Sequence, residues 1–286
     1  MIAFAKRNLK LYLRDRSSVI FSLLAVFIVI GLYVLFLGDV WTNGLKEFER
    51  AEEMMDNWVM AGVLAITSMT TTLGMLGTMV KDRADRIEKD FFVAPVKRWQ
   101  IAGGYMLSAY AVGVVMSVIA LAAAEIYVTV NGGELMSLHN IVRTLGIILL
   151  NTFMNTSIAL FLVSLFQSIN AYTTANIVLG TLIGFLTGIY LPIGSYPEGV
   201  QWIVKLFPVS HGALIFRNIM MGPVMEEAFE GVPVSVVTEL KEELGIIYIF
   251  GNTEVSMAAS IGIMTAVAVV FFGLACLNIS GKNHDK

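Results

Sequence analysis

The densest group of reactive side chains in this sequence is the segment KDRADRIEKDFFVAPVKR, residues 81–98. It contains six Lys or Arg residues and four acids, and long apolar runs flank it on both sides. A Lys or Arg at a bilayer centre costs about 2.5–3.5 kcal/mol on insertion scales, so this segment must lie in water. It is too short for a domain and too charged for a plain turn. The pattern indicates that this charged island is a contact site for another protein.

Motifs of enzymatic sites do not occur in the sequence. The P-loop pattern GxxxxGK[ST] is absent, so the chain is not expected to bind ATP through such a loop. HExxH and G-x-S-x-G are absent too, and the three His residues lie far apart. Glu226 and Glu227 have no histidine near them in sequence, which makes an intramembrane protease a remote reading. The single cysteine, Cys276, excludes an internal disulfide. We therefore predict a non-catalytic chain that holds no cofactor or metal.

The composition indicates which elements position the island. Hydrophobic residues make up 57% of the 286 residues and charged residues only 14%, whereas a soluble domain carries about 25% charged residues. The apolar runs reach about 20 residues, the length that crosses about 30 Å of hydrocarbon. Polar and apolar residues do not alternate along these runs, which excludes the strands of a transmembrane β-barrel. The prediction is an all-α polytopic membrane protein with one transmembrane domain over residues 1–286.

Six transmembrane helices are predicted, at residues 18–37, 58–80, 101–130, 141–166, 171–191 and 254–279. Residues 1–17 are basic and amphipathic, which predicts an interfacial helix. A signal peptide is the alternative, but the apolar run that follows exceeds a typical h-region. Residues 192–252 form an outer region between spans five and six. In it, residues 191–217 are expected to form two short re-entrant helices, and residues 234–244 a helix that Gly245 ends.

The distribution of charge predicts the orientation of the spans. With six spans, both termini lie on the same side as the island, and this side carries thirteen of the 19 Lys and Arg residues. The positive-inside rule therefore places the termini and the island in the cytoplasm. Most of the acids fall on the other side, which supports the same orientation.

The predicted spans carry small polar residues and glycines rather than charges. Their lack of a central Lys, Arg, Asp or His argues against ion coupling and for an external energy source. Three consecutive threonines in span two cannot share one helix face, so some must bond to carbonyls of their own helix. Span five carries a doubled G-x-x-x-G ridge, which marks a packing face. The residues predicted for a translocation path or a dimer face are Thr67, Thr70, Thr71, Asn176, Gly180, Gly184 and Gly188. For the threonines, tight packing is the favoured reading and substrate lining the alternative.

An apolar stripe crosses the island. Ala84, Ile87 and Phe91 follow i, i+3 and i+7 spacing, and Pro95 is expected to end the helix. Such a helix can seat its apolar face in the groove of a partner. An ordinary solvated loop at the membrane surface explains the same periodicity equally well.

Three segments resemble the membrane subunit of type-2 ATP-binding-cassette (ABC) exporters. Residues 13–16, LRDR, are similar to the basic connecting helix of that family. Residues 82–101, DRADRIEKDFFVAPVKRWQI, resemble its charged stretch that ends in a proline, then basic, then apolar residues. Residues 191–217 are similar to its re-entrant outer segment. The chain departs from the family at residues 86–90, RIEKD, where an Arg-Glu-x-Gly-Thr-like run is common.

The resemblance implies a half-transporter that pairs with a second permease chain, as a homodimer or heterodimer. Separate cytoplasmic ABC ATPase subunits would bind ATP and Mg and drive outward movement of an amphipathic, drug-like or lipid-like substrate. The residues implied for ATPase docking are Arg83, Ala84, Arg86, Ile87, Phe91, Phe92 and Pro95. Those implied for an outer lid are Pro192, Pro197, Trp202, Pro208 and Arg217. The implied location is the plasma membrane of a bacterium, with no nucleic-acid partner. An ATP-independent secondary transporter and a non-transporting membrane sensor or immunity protein are the alternatives.

Overall fold

The computed structural model describes residues 1–33, 35, 50–93, 95, 97–251 and 253–281. Its helices are α1 (Ile2–Arg14), α2 (Arg16–Leu32), α3 (Ala51–Ala84), α4 (Ile87–Val93), α5 (Arg98–Val130), α6 (Leu138–Leu165), α7 (Ile169–Leu186), α8 (Glu198–Leu206), α9 (Pro208–Ala228), α10 (Val234–Glu243) and α11 (Met257–Gly281). A short 3₁₀ helix covers Ile193–Ser195. In this part of the chain the strands are confined to one antiparallel hairpin, β1 (Ile249–Phe250) and β2 (Thr253–Glu254), in which Ile249 pairs with Glu254.

Five helices are long and apolar enough to cross a membrane: α3, α5, α6, α7 and α11. They overlap the last five predicted spans, so the all-α polytopic class is confirmed. The first predicted span overlaps α2, and its residues 34, 36 and 37 lie outside the described residues. Helices α8 and α9 bend by 86° at the break between them. Either one broken span or a re-entrant loop has this geometry, so the predicted count of six spans stays a prediction.

The start of the second predicted span is wrong, because α3 already begins at Ala51. Two acids, Glu52 and Glu53, occupy the first turn, where carboxylates favour the positive end of the helix dipole. Met54 and Met55 follow and are fully buried. Burial of these two side chains extends the helix into the acidic segment that precedes the predicted start at residue 58.

The fifth predicted span is too long at its end. Helix α7 stops at Leu186, and Gly188 follows with φ of +65°. The amide of Ile189 donates to the carbonyl of Gly184 at 3.1 Å, a C-terminal closure that glycine makes possible. The predicted ridge through Gly188 is therefore wrong, because Gly180 and Gly184 are its only members that lie on the helix.

In the outer segment, the predicted helix before Gly245 is correct, but the second predicted short helix is longer than expected. The second predicted short helix is α9, which continues past Arg217 to Ala228 and contains Pro223. This helix is long because its face is apolar and mostly buried, from Val209 to Met225. The predicted helix before Gly245 is confirmed as α10, and Gly245 has φ of +68°.

Helix α3 is the centre of the bundle. In its apolar window 89% of the residues are buried, against 11% in α7 and 22% in α11. It packs against α2, α5, α6, α7 and α9. Glycines permit these close approaches: a Cβ added at Gly62 would lie 2.9 Å from Ile189, and one at Gly77 would lie 3.0 Å from Tyr172. The C-terminal end of α3 meets the island (the island end), and its N-terminal end meets residues 187–250 (the far end).

Candidate functional site

The charged island is a helix break rather than one continuous helix. Helix α3 ends at Ala84, a turn at Asp85 and Arg86 follows, and α4 then runs from Ile87 to Val93. Arg86 has φ of +60°, a left-handed conformation that costs an L-residue about 1–2 kcal/mol. The predicted stripe is wrong in this respect, because Ala84 lies on a different helix from Ile87 and Phe91.

Helix α1 packs against α4 through aromatic rings. Phe4 makes edge-to-face contacts with Phe91, at 4.8 Å between ring centroids, and with Tyr105 of α5, at 4.9 Å. The Arg7 guanidinium lies 5.2 Å from the Phe91 ring centroid. Phe91 is thus half-buried within its own chain. It is a contact between α4 and α1, whereas the family resemblance implied an anchor for an ATPase.

Asp82 joins three helices at the island end. Its carboxylate is buried and accepts two hydrogen bonds from the Arg7 guanidinium, at 2.6 and 2.7 Å. The Tyr105 hydroxyl donates to the same carboxylate at 2.7 Å. The hydrogen bond to Asp82 raises the pKa of Arg7 above its ordinary value, so the guanidinium stays charged. The pattern of the sequence did not reveal this network, because Arg7 and Asp82 are 75 residues apart.

Arg83 forms a second set of contacts between helices at the island end. Its side chain is 8% exposed, and Nη1 donates to the carbonyls of Ser164 and Phe166 at 3.0 and 2.9 Å. These carbonyls lie at the C-terminal end of α6, where a cation is favoured. Arg83 also forms an ion pair with Glu88 of α4, at 3.3 Å. Its guanidinium is therefore engaged within the chain.

The remaining predicted docking residues differ in exposure. Ala84, Arg86 and Pro95 are exposed, and Ile87 is half-buried. The side chain of Phe92 lies outside the described part of the structure. Val93 was not among the predicted docking residues, yet its side chain is 87% exposed at the end of α4. Its apolar character inside a charged segment was the available signal.

The threonines predicted for a path are bonded within α3. Thr67 donates to the carbonyl of Val63 at 2.6 Å, and Thr71 to that of Thr67 at 2.7 Å. Thr70 is half-exposed and also donates to the carbonyl of Thr67, at 3.1 Å. The prediction that some of these hydroxyls bond to their own helix is confirmed. Since Thr67 and Thr71 are fully buried, the packing reading accounts for both.

The predicted residues of α7 divide between two environments. Asn176 and Gly180 are half-buried, and no side chain approaches the Cβ position of Gly180 within 4 Å. Gly184 is buried, and a Cβ there would collide with Tyr190. The structure therefore covers one part of this stripe and leaves the other part open.

The predicted lid residues gather at the far end. Pro192 precedes the 3₁₀ helix, Pro197 precedes α8, and Pro208 is the first residue of α9. The Trp202 ring contacts Phe250, with 5.3 Å between the ring centroids. Arg217 is fully buried. Trp202, Pro208 and Arg217 lie on α8 and α9, and the two other prolines lie in the segment that leads into α8.

An apolar groove of about 600 Å³ lies between the end of α6 and α7. Its lining residues are Leu162, Phe166, Asn170, Ala171, Thr174, Ala175, Val178 and Leu179. None of these described lining residues is charged. Among the described residues, no group of three His, Cys, Asp or Glu side chains is placed to hold a metal ion.

Comparison with known proteins identifies the family. A search of curated proteins finds no match to this chain. A family model described as "ABC-2 family transporter protein" matches residues 39–277. The match includes the island, the bent helix pair, the first four candidate spans and all but the end of the last one. Since it extends over far more than half of the sequence, the chain belongs to the ABC-2 transporter family and is a membrane permease subunit of that transport system.

Proposed function

We propose that this permease moves an amphipathic, drug-like or lipid-like substrate outward, with energy from ATP hydrolysed by separate ABC ATPase subunits that dock on the charged island. The observation that carries this proposal is the continuity of α3. Its 34 residues extend about 50 Å at about 1.5 Å per residue. A force applied at Ala84 can therefore reach the far end of the bundle along one hydrogen-bonded element.

The contacts at the island end support a role of α4 in transmitting movement to the helix bundle. Helix α4 is tied to α1 through Phe91 and Phe4, and to α3 through Glu88 and Arg83. Asp82 in turn binds α1 and α5 through Arg7 and Tyr105. A displacement of α4 by an ATPase would thus be shared by α1, α3, α5 and α6. Closure of the ATPase pair would tilt these helices together.

The surface of α7 supports pairing with a second permease chain. Thr173, Ile177, Thr181 and Phe185 recur at every fourth position and are exposed. Only 11% of the apolar window of this helix is buried. A second copy that covers this stripe would supply the missing packing surface, and the substrate would then leave between the two chains.

The groove beside α7 supports the proposed substrate class. Its walls are apolar except for Asn170 and Thr174. Such a lining suits a molecule with an apolar body and a few polar groups, since pockets of this kind fix orientation through a small number of polar contacts. A small inorganic ion would find no charge in it.

One observation favours a proton-coupled secondary transporter as the second candidate. His211 in α9 is buried, with Nδ1 3.1 Å from the hydroxyl oxygen of Ser260. A buried titratable group within a transmembrane helix bundle is a feature of proton relays. In the ABC proposal this pair only joins α9 to α11. His211→Gln then retains ATP-driven transport, whereas a proton-coupled carrier would lose it.

The test needs the partner ATPase, which is sought as a reading frame with a GxxxxGK[ST] motif next to that of this chain. Both proteins are produced together, and co-purification and ATPase stimulation are measured in proteoliposomes. The double variant Arg86→Glu with Val93→Glu alters two exposed island residues and leaves Phe91 in its contact with Phe4. Loss of co-purification and of stimulation is expected.

Val234→Glu is the matched control. Val234 resembles Val93 in being an exposed valine, at 80% exposure, but it lies on α10 at the far end. It should co-purify with the ATPase like the unmodified chain. Equal binding by the double variant and the control would rule out the island as the docking site.

A further inference from the structure

A fully buried arginine, Arg217, lies at the far end and has no carboxylate partner among the described residues. The Nη2 group of Arg217 donates to the carbonyls of Thr187 and Gly188, at 3.0 Å each. Its guanidinium lies 4.7 Å from the ring centroid of Trp58. Within the described part of the chain, Nε and Nη1 have no hydrogen-bond partner. An uncompensated buried charge is costly, and an apolar side chain of similar volume would fill the same space at a lower cost. Packing alone therefore does not account for this arginine.

The two carbonyls that Arg217 binds belong to the end of α7. Backbone carbonyls at a helix C-terminus lack partners within the helix and favour a cation. Helix α7 is weakly held elsewhere, since it packs on α3 and touches α9 only slightly. At the island end it is fastened by the Tyr172 hydroxyl, which donates to the carbonyl of Leu73 on α3 at 2.5 Å. Arg217 is the corresponding fastening at the far end.

The same arginine connects α7 to the rest of the far end. Trp58, on which it stacks, belongs to α3, and the Trp58 indole donates to the carbonyl of Leu244 at 2.8 Å. The next residue, Gly245, lies so close that an added Cβ would be 3.1 Å from Nη1 of Arg217. From its position on α9, the guanidinium thus contacts α3 and the end of α7 and lies beside the loop after α10.

We propose that Arg217 is a positioning residue that locks the far end of α7 to α3 while the exit is closed, and that its release frees this end of α7 for substrate to leave. The proposal rests on the proposed export function. The two unpaired donors give the lock an alternative state, because a shift of α7 or of the loop at Gly245 can provide them with acceptors or water. Packed interfaces with two discrete arrangements are the usual elements of such transitions.

The experiment measures the exposure of the α7 end by thiol labelling. Cys276→Ser removes the single cysteine, and Ile189→Cys places a probe just beyond α7, where the side chain is 2% exposed and faces Gly62 of α3. The rate of reaction with a membrane-impermeant maleimide is then measured in proteoliposomes. Arg217→Met should raise this rate by at least about tenfold, the factor that corresponds to about 1.4 kcal/mol.

Arg217→Lys should give a rate between those of the unmodified chain and Arg217→Met. An ammonium group keeps the charge, but it lacks the planar fork that stacks on the indole while donating to both carbonyls. Lys205→Met is the matched control. Lys205 is also a buried cation of the far end, at 8% exposure, but it pairs with Glu242 of α10 at 2.8 Å instead of with α7. Its replacement should leave the labelling rate unchanged.

Two results would overturn the lock. One is an unchanged labelling rate in Arg217→Met, and the other is an equal rise in Arg217→Met and Lys205→Met, which would indicate general loosening. If Arg217→Met does not fold, as judged by size-exclusion chromatography, the comparison of Arg217→Lys with Lys205→Met decides by the same criteria. The measurement needs no ATPase, so a failure of the docking experiment leaves its outcome interpretable. A failure of the lock likewise leaves island docking intact.

Discussion

The ion pair between Arg7 and Asp82 provides the most direct test of how the island is held. Asp82 is 4% exposed and accepts two hydrogen bonds from Arg7 and one from Tyr105. Removing one partner of a buried pair costs about 3–5 kcal/mol, because the other charge is left without compensation. The side chain of Arg7 is 31% exposed, so solvent screens it and the lower end of that range applies. We expect Asp82→Ala to lower the free energy of unfolding by about 3 kcal/mol.

A double-mutant cycle isolates the pair from the other contacts of each residue. Arg7→Met, Asp82→Asn and their combination are compared by equilibrium unfolding in mixed micelles. Because the two side chains touch, a coupling energy of roughly 1.5–3 kcal/mol is expected. Tyr105→Phe, which keeps the contact with Phe4, should cost about 1.5 kcal/mol for a lost hydrogen bond to a charged group.

The control cycle uses Lys10→Met and Asp85→Asn, which alter an exposed cation on α1 and an exposed acid in the island turn. This cycle should show a coupling energy close to zero. A coupling energy near zero for Arg7 and Asp82 as well would refute the reasoning, because α1 would then not be fastened to α3 through this pair.

Three further predictions concern backbone strain, packing and hydroxyl groups. Arg86→Gly should raise the free energy of unfolding by about 1 kcal/mol, because glycine relieves the strain of the positive φ. In the same unfolding assay, Lys89→Gly inside α4 should lower it by up to about 1 kcal/mol. Equal shifts of the same sign in the two variants would contradict this reasoning. Gly62→Ala should lower stability by about 1–3 kcal/mol, because its Cβ has no room against the side chain of Ile189. Gly146→Ala meets nothing described within 4 Å and should be neutral or stabilising. Thr67→Val should change stability by about 1 kcal/mol or less, because the hydroxyl bonds only to its own helix, and transport assays should show an unchanged rate; a large loss of transport with normal stability would instead support a substrate contact.

Local properties of the sequence predicted much of the fold. Hydropathy and run length gave the polytopic helical class, because burial in lipid depends on the composition of each segment. Gly245 predicted the end of α10 for an equally local reason, since glycine adopts a positive φ without strain. The charges of residues 81–98 excluded this segment from the bilayer.

Contacts between distant segments were decided only by the tertiary structure. An apolar periodicity shows that Phe91 will be covered but does not identify Phe4, 87 residues earlier, as the side chain that covers it. Arg217 is similar: its sequence context suggested an outer surface, yet packing of α3, α7 and α9 buries it completely. Burial and pairing depend on how helices meet, and helices that meet in space are often far apart in sequence. The sequence by itself therefore determined which segments are long and apolar enough to cross a membrane, and tertiary packing decided which charged and aromatic side chains hold those segments together.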